Sequence, residues 1–383
     1  MPQRKQTVHS EQVVWVYPDK IPTRGDVKPL QSAPAVDAQG RVYVHAQGRL
    51  VALQEENGVP NMLWEYVTGS YAPGPPVLAP DGSLRLHCSD GTVHCISSTG
   101  RQMFNPVVVD EPLGHAAPII DAQGNTYICH FDGGLVKIDP EGRLQSGSYF
   151  RTRQKFDAGG IIFGDLLYIG SQDGYMFAIR MEERRGKNTW DHAREQGYTG
   201  WYIHCTPVID SEGLLIVAGR EENLYGFAEG GKEAWKAHIP GQMLASPVLD
   251  EDNHIYVALT RAERGVDARG SLVCVDGNSH KIRWEYEAKG PTESTPVIGD
   301  DGIIYFGDNE GYVHAVDMAG NGQWTAEVGD SVRSAGTIIA PGRLAFGIDN
   351  ENLIVLECSS QSIAQTGWPK IAGTLAQNGI WNG

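Results

Sequence analysis

A short phrase returns along this chain at a nearly constant interval, and recurrence of that kind restricts a fold more than any other sequence feature. The phrase is SAPAVDAQGRVYVHAQGRLVAL from Ser32, AAPIIDAQGNTYICHFDGGLVKID from Ala116, ASPVLDEDNHIYVAL from Ala245 and STPVIGDDGIIYFGDNEGYVHAVDMAGNGQW from Ser294. Aligned on its proline, it gives Pro34, Pro76, Pro118, Pro207, Pro247 and Pro296, and two further copies carry Gly160 and Gly336 there. The steps between the eight copies are 42, 42, 42, 47, 40, 49 and 40 residues. A chain of 383 residues would ordinarily divide into two or three domains, but this period makes it one repeat array.

Each copy has the same internal order. A β-branched run such as PVI or PAV leads into an Asp- and Gly-bearing turn, and a run such as RVYVH or IIYFG follows. A second turn then precedes a third run such as LVALQ or VHAVD, and a last run usually carries tryptophan, as in LWEYV, RWEYE and QWTAE. Short runs bounded by such turns are strands joined by hairpins, and four of them per repeat make one propeller blade. Only the charged insert at 181–197 has any helical character. The fold expected is all-β: an eight-bladed β-propeller of four-stranded antiparallel blades, with units starting near 32, 74, 116, 158, 205, 245, 294 and 334. The ring must also close. The eighth copy has three strands, whereas VVWVYP at 13–18 reads as a fourth strand with no blade of its own. This N-terminal strand is the expected closure, and the tail at 359–383, with GWPKIAG around Trp368, is the competing candidate.

The pattern Ala-x-Asp, a Gly-bearing turn and Trp, as in AVDMAGNGQW, resembles the repeat of the PQQ-like, or quinoprotein-type, eight-bladed propellers. That family includes the quinoprotein alcohol dehydrogenases and the BamB type of outer-membrane assembly lipoprotein. The resemblance implies that Trp64, Trp190, Trp235, Trp284 and Trp324 dock between neighbouring blades. Phe104 and Ser146 hold that place in the second and third copies, so those blades are expected to dock less tightly. The family's dehydrogenases also pair two adjacent cysteines beside the quinone. This chain has no Cys-Cys dipeptide and is far shorter, so no PQQ is expected. The turns DEDNH and GDNEG contain calcium-type oxygen ligands but match no EF-hand loop, and Asp, Asn and Gly are what tight turns require.

The formal charge is −16, from 31 basic and 47 acidic residues spread along the chain. That excludes nucleic acid and anionic membrane as main partners, since both reward basic patches. No stretch reaches the roughly 20 apolar residues of a membrane span. The start MPQRKQTVHSEQ has no apolar signal region, so a cytoplasmic location is expected. The six cysteines form no CxxC pair and read as buried small hydrophobes.

A functional site belongs where the copies disagree. Two residues before the aligned position all copies are small: Ser32, Gly74, Ala116, Ala158, Cys205, Ala245, Ser294 and Ser334. One residue earlier they read Gln31, Pro73, His115, Asp157, His204, Leu244, Glu293 and Arg333. Alternation along a strand turns that position away from the small one, and it shares its face with Tyr71, Lys155 and Tyr202 two residues before it. His115, Asp157, His204, Glu293 and Arg333 are therefore the candidate catalytic residues at one rim of the channel. Tyr71, Lys155, Tyr198, Trp201 and Tyr202 are the candidate ligand-binding ones. A histidine beside a carboxylate is suited to acid–base work, and His115, Asp157 and His204 come from consecutive blades. Two His and one Asp also suit a metal, though a hydrated channel mouth is the plainer reading. His45, His87 and Cys129 form a second group, for which packing is an adequate explanation. Two insertions, at 191–204 and 260–270, lengthen loops of the kind that carry recognition. The function expected is a binding scaffold for a protein, a peptide or a small polar molecule. The alternative is a lyase, isomerase or hydrolase acting at the channel mouth.

Overall fold

The computed structural model describes residues 10–18, 33–110, 113–114, 116–145, 149–157, 159–182, 184–262, 267–349 and 352–368. Their strands form eight four-stranded antiparallel sheets, each with neighbours in chain order except the last. Only two 3-10 turns, His192–Arg194 and Glu229–Gly231, interrupt the β structure of the described residues. None of their helices is long and apolar enough to cross a membrane.

The Asp and Tyr of the repeated phrase form one device. Asp37 Oδ1 accepts the backbone N–H groups of Gln39 and Arg41, which fixes the turn after the inner strand. Its other oxygen accepts the Tyr43 hydroxyl at 2.7 Å. Asp121 with Tyr127 and Asp250 with Tyr256 repeat the arrangement. The carboxylates of Asp250 and Asp308, in the two calcium-like turns, take backbone N–H groups in the same way. The aspartates are thus turn residues whose second oxygen pins the tyrosine of the next strand.

Blades meet through an aromatic ring seated on a glycine. Trp64 of blade one lies over Gly100 of blade two and donates its indole N–H to Ser98 O at 3.0 Å. Trp190 sits on Gly231, and Trp284 sits on Gly320. Phe104 occupies the same seat on Gly142, so the expected loosening of blade two is not seen there. Ser146 lies outside the described residues. Blade six has His280 in place of the glycine, and its ring stacks on Trp235 at 4.1 Å. Gly320 has φ +87° and a Cβ there would stand 2.7 Å from Trp284, so Gly320→Ala combines backbone strain with overpacking. It is expected to cost about 2–3 kcal/mol, read as a lower urea midpoint at unchanged slope.

The N-terminal strand Val13–Tyr17 pairs with Asn352–Glu357 and completes blade eight. Trp15 fills that blade's docking position and bonds Glu55 of blade one at 2.8 Å. Trp368 is not part of the closing strand. The chain leaves blade eight and crosses the far ends of the inner strands of blades seven and six, pairing Ile363 with Gly299 and Trp368 with Leu249. All six cysteines are buried and free.

Candidate functional site

The chain runs into every inner strand from one end of the ring, called here the top face. Immediately before those strands, exposure alternates as the sequence pattern required. Phe156, Ile203, Met243, Thr292 and Val332 are buried between blades, while Asp157, His204, Leu244, Glu293 and Arg333 are half-exposed. The small residues that follow are buried wherever they are described. Side chains near this inner ring also link blades directly: Ser246 Oγ accepts Thr206 N–H, Thr295 Oγ1 accepts Ser246 N–H, and Ser294 donates to Ser334 O at 2.7 Å. These bonds fix the spacing of the channel wall.

Each half-exposed residue has a partner that the repeat alignment did not single out. The hairpin between the second and third strands of each blade returns to the top face, and its first residue follows the rim residue by 15 or 16 positions. Backbone bonds hold the two together: Ser89 N–H donates to Tyr71 O, Gln172 to Lys155 O, Asn309 to Pro291 O and Asp349 to Ser331 O. Thr260 and Gln242 exchange both of their bonds. The side chains then pair within blades. Gln172 donates to Asp157, Asn309 Nδ2 donates to Glu293 Oε1 at 3.0 Å, and Arg333 Nε lies 3.4 Å from Asp349 Oδ2. Gln172, Arg220, Asn309 and Asp349 are the residues that sequence reasoning missed. The fixed offset was visible in the sequence, but only strand pairing shows that it brings side chains together.

Two polar arcs result, separated on one side by Leu244 and Thr260 of blade six. In the arc of blades four and five, Lys155 Nζ lies 3.4 Å from Asp157 and sits 5.1 Å from the ring centre of Phe131. His204 Nδ1 stands 3.7 Å from Asp157 Oδ2, an electrostatic approach longer than a hydrogen bond. Burial lowers the His204 pKa below the ordinary histidine value; Asp157 opposes that shift, while Arg220 and Lys155 add to it. The imidazole is therefore neutral at pH 7. Tyr202 meets it edge-on, with centroids 6.2 Å apart, and Trp201 lies beside Tyr202. The arc of blades seven and eight joins Glu293, Asn309, Ser331, Asp349 and Arg333, with Ser331 Oγ donating to Asn309 O at 2.7 Å.

The remaining expected residues are placed as follows. His115 lies outside the described residues. Tyr198 turns from the mouth to the side wall, where it packs on Tyr175 and lines a groove of about 580 Å³ with Tyr225, Lys232 and Lys236. Tyr71 serves the mouth through its carbonyl. A second groove of about 610 Å³, lined by Gln12, Trp324 and Cys358, lies at the seam, where blade eight has no turn into its outer strand. Among the described residues, no three His, Cys, Asp or Glu side chains are grouped to hold a metal ion.

His45 and His87 belong to blade walls and not to the mouth, being 2% and 1% exposed. His45 Nε2 lies 2.8 Å from Thr68 Oγ1, whose own hydrogen faces the carbonyls of Gly48 and Ser70. The neutral imidazole therefore donates from Nε2. Burial, with a smaller contribution from His94, lowers its pKa from 6.5 to about 4. The unfolded chain takes up this proton first as pH falls. His45 thus contributes stability that is complete above pH 6.5 and gone by about pH 4. The difference is about 3 kcal/mol, and a His45→Gln variant is expected to lose that part of the pH dependence of its urea midpoint.

A profile of the family described as outer membrane protein assembly factor BamB matches residues 8–205 and 251–366. No curated protein matches the chain. Among solved structures, the chain is similar to BamB from Moraxella catarrhalis, at TM-score 0.67 and 15% identity, over 86% of this chain and 97% of that one. The computationally designed Ika8 protein matches at TM-score 0.67 and 12% identity, over 88% and 98% of the two chains. Saccharomyces cerevisiae Sqt1 matches at TM-score 0.71 and 11% identity, over 87% and 97%. At these identities the structural likenesses are likenesses of fold.

Proposed function

The chain belongs to the family described as outer membrane protein assembly factor BamB, and from that premise we propose that it is a binding propeller that holds a protein partner across its top face. The observation that carries this reading is the pairing of mouth residues blade by blade. Asp157 with Gln172, Glu293 with Asn309 and Arg333 with Asp349 form a rigid polar ring and do not converge on one reacting atom. Both insertions also rise on this face, and Trp201 and Tyr202 stand 56% and 39% exposed beside the mouth, where a partner would cover them. Acid–base catalysis draws on a single observation, the 3.7 Å approach of His204 to Asp157.

The test is selection of peptides on the immobilised protein, followed by binding measurements on the Trp201→Ala/Tyr202→Ala double variant. Peptides selected on the wild type should bind the double variant at least about tenfold more weakly, as the loss of an aromatic anchor implies. Selected peptides that ignore this change and respond to substitutions at Tyr198 or Lys236 would move the binding face to the side groove and sink the reading.

A further inference from the structure

We propose that the channel mouth inside this ring takes a neutral, polyhydroxylated ligand of the saccharide class, free or carried on a partner, with Asp157, His204, Asn309 and Arg333 bonding its hydroxyls and Tyr202 and Trp201 covering its apolar face. The inference rests on the top face being the binding face and names what its centre accepts.

Charge comes first. Lys155, Arg220 and Arg333 are balanced by Asp157, Glu293 and Asp349, so the described ring carries no net formal charge although the whole chain carries −16. An anion meets Asp157 and Asp349, and a cation meets Lys155, Arg220 and Arg333, so neither is favoured. The ring nonetheless holds hydrogen-bonding capacity that the protein leaves unused. Asp157 Oδ1, His204 Nε2, Asn309 Oδ1 and Arg333 Nε are all buried atoms without a hydrogen-bond partner. Asp157 Oδ1 and Arg333 Nε have only ion-pair approaches, each at 3.4 Å.

Buried polar atoms in folded proteins are nearly always bonded, and those left over mark where something else completes them. Here the leftovers are mixed in kind. Asp157 and Asn309 accept, and Arg333 donates. If His204 keeps its proton on Nδ1, facing Asp157, then Nε2 also accepts. The hydroxyl is the group that both donates and accepts, so a ligand with several hydroxyls satisfies such a set without changing its own charge. An apolar ligand would bury these atoms unpaired, at a cost no contact with Tyr202 offsets. The carboxylate–amide pairs add geometry. Gln172 fixes Asp157, and Asn309 is fixed by its bond to Glu293, so the free oxygens are presented at defined angles. The C–H face of a sugar ring is apolar, and exposed Tyr and Trp rings are suited to cover it.

The experiment is calorimetric titration of the full chain with cellobiose, maltotriose and diacetylchitobiose, with sodium glutamate and spermidine as charged controls. A glycoprotein bearing the best-binding sugar, before and after enzymatic deglycosylation, distinguishes a carried glycan from a free one. At least one sugar is expected to bind with a Kd of about 1 mM or tighter. Asp157→Asn and Trp201→Ala are each expected to weaken that binding about tenfold at unchanged melting temperature, and Trp201 is too exposed for its loss to unfold the chain. Binding of a charged control in preference to every sugar would overturn the saccharide assignment, as would sugar binding that ignores both substitutions, or no binding at all. Should the sugars fail while selected peptides still depend on Trp201 and Tyr202, only this inference falls and the binding-face reading stands.

Discussion

Replacing Trp368 by alanine is expected to destabilise the propeller by about 3–5 kcal/mol, more than any single change at the channel mouth. The indole is 0% exposed and lies in one apolar cluster with Ile209, Ile216, Leu249 and Val257, so its removal opens a cavity between blades five and six. The backbone around it is also engaged, since Trp368 and Leu249 exchange N–H···O bonds of 2.9 Å in both directions. Upstream, the tail has displaced part of a repeat. Blade seven has Gly299 where other copies place the turn aspartate, and a Cβ there would stand 2.0 Å from Ser360 Oγ. Ser360 takes over the missing carboxylate's task and meets the Tyr305 hydroxyl at 2.9 Å. Gly299→Ala should therefore lift the tail and cost part of the same energy. Urea unfolding of both variants checks this. A loss below about 1 kcal/mol for Trp368→Ala would mean that the tail lies passively on the ring.

Removal of residues 1–18 is expected to have the largest effect. Without Val13–Tyr17, blade eight loses its outer strand and a ladder running from Val13–Leu356 to Tyr17–Leu353. Glu55 loses the indole N–H of Trp15 while keeping Arg343 Nε at 2.9 Å, so the joint between blades eight and one is left to one ion pair. The newly exposed edge of Asn352–Glu357, apolar along most of its length, is then open to pairing with another chain. A loss of about 5 kcal/mol or more approaches the whole stability of an ordinary domain. The shortened chain should therefore melt far lower and sediment as aggregates. A synthetic peptide of residues 10–18 supplied in trans should restore part of the melting temperature. A shortened chain that stays monomeric with an unchanged melting temperature would show that the ring does not depend on this closure.

The fold was legible because the information is local and repeated. A turn aspartate, a tyrosine six residues later and a docking aromatic each act within one blade or on the next, so every copy states the same rule. Departures from the rule were readable as departures but not as contacts. Gly299 looked like a weak copy, and only the tail's path explains it. Phe104 looked like a poorer Trp, yet it fills the seat on Gly142 in the same way. The rim positions were visible as places of disagreement. Their partners Gln172, Arg220, Asn309 and Asp349 were not, because the hairpin turns that bear them also look like ordinary turns.

The sequence by itself determined the number of blades, the identity of the closing strand and which positions face the mouth, because period and alternation are properties of neighbouring residues. Only the tertiary structure decided which mouth residues pair, that His204 stands 3.7 Å from Asp157, and that Trp368 is buried against blade six and not part of the closing strand. Those contacts join residues many positions apart whose distances are set by strand register and ring closure. No local pattern carries that geometry.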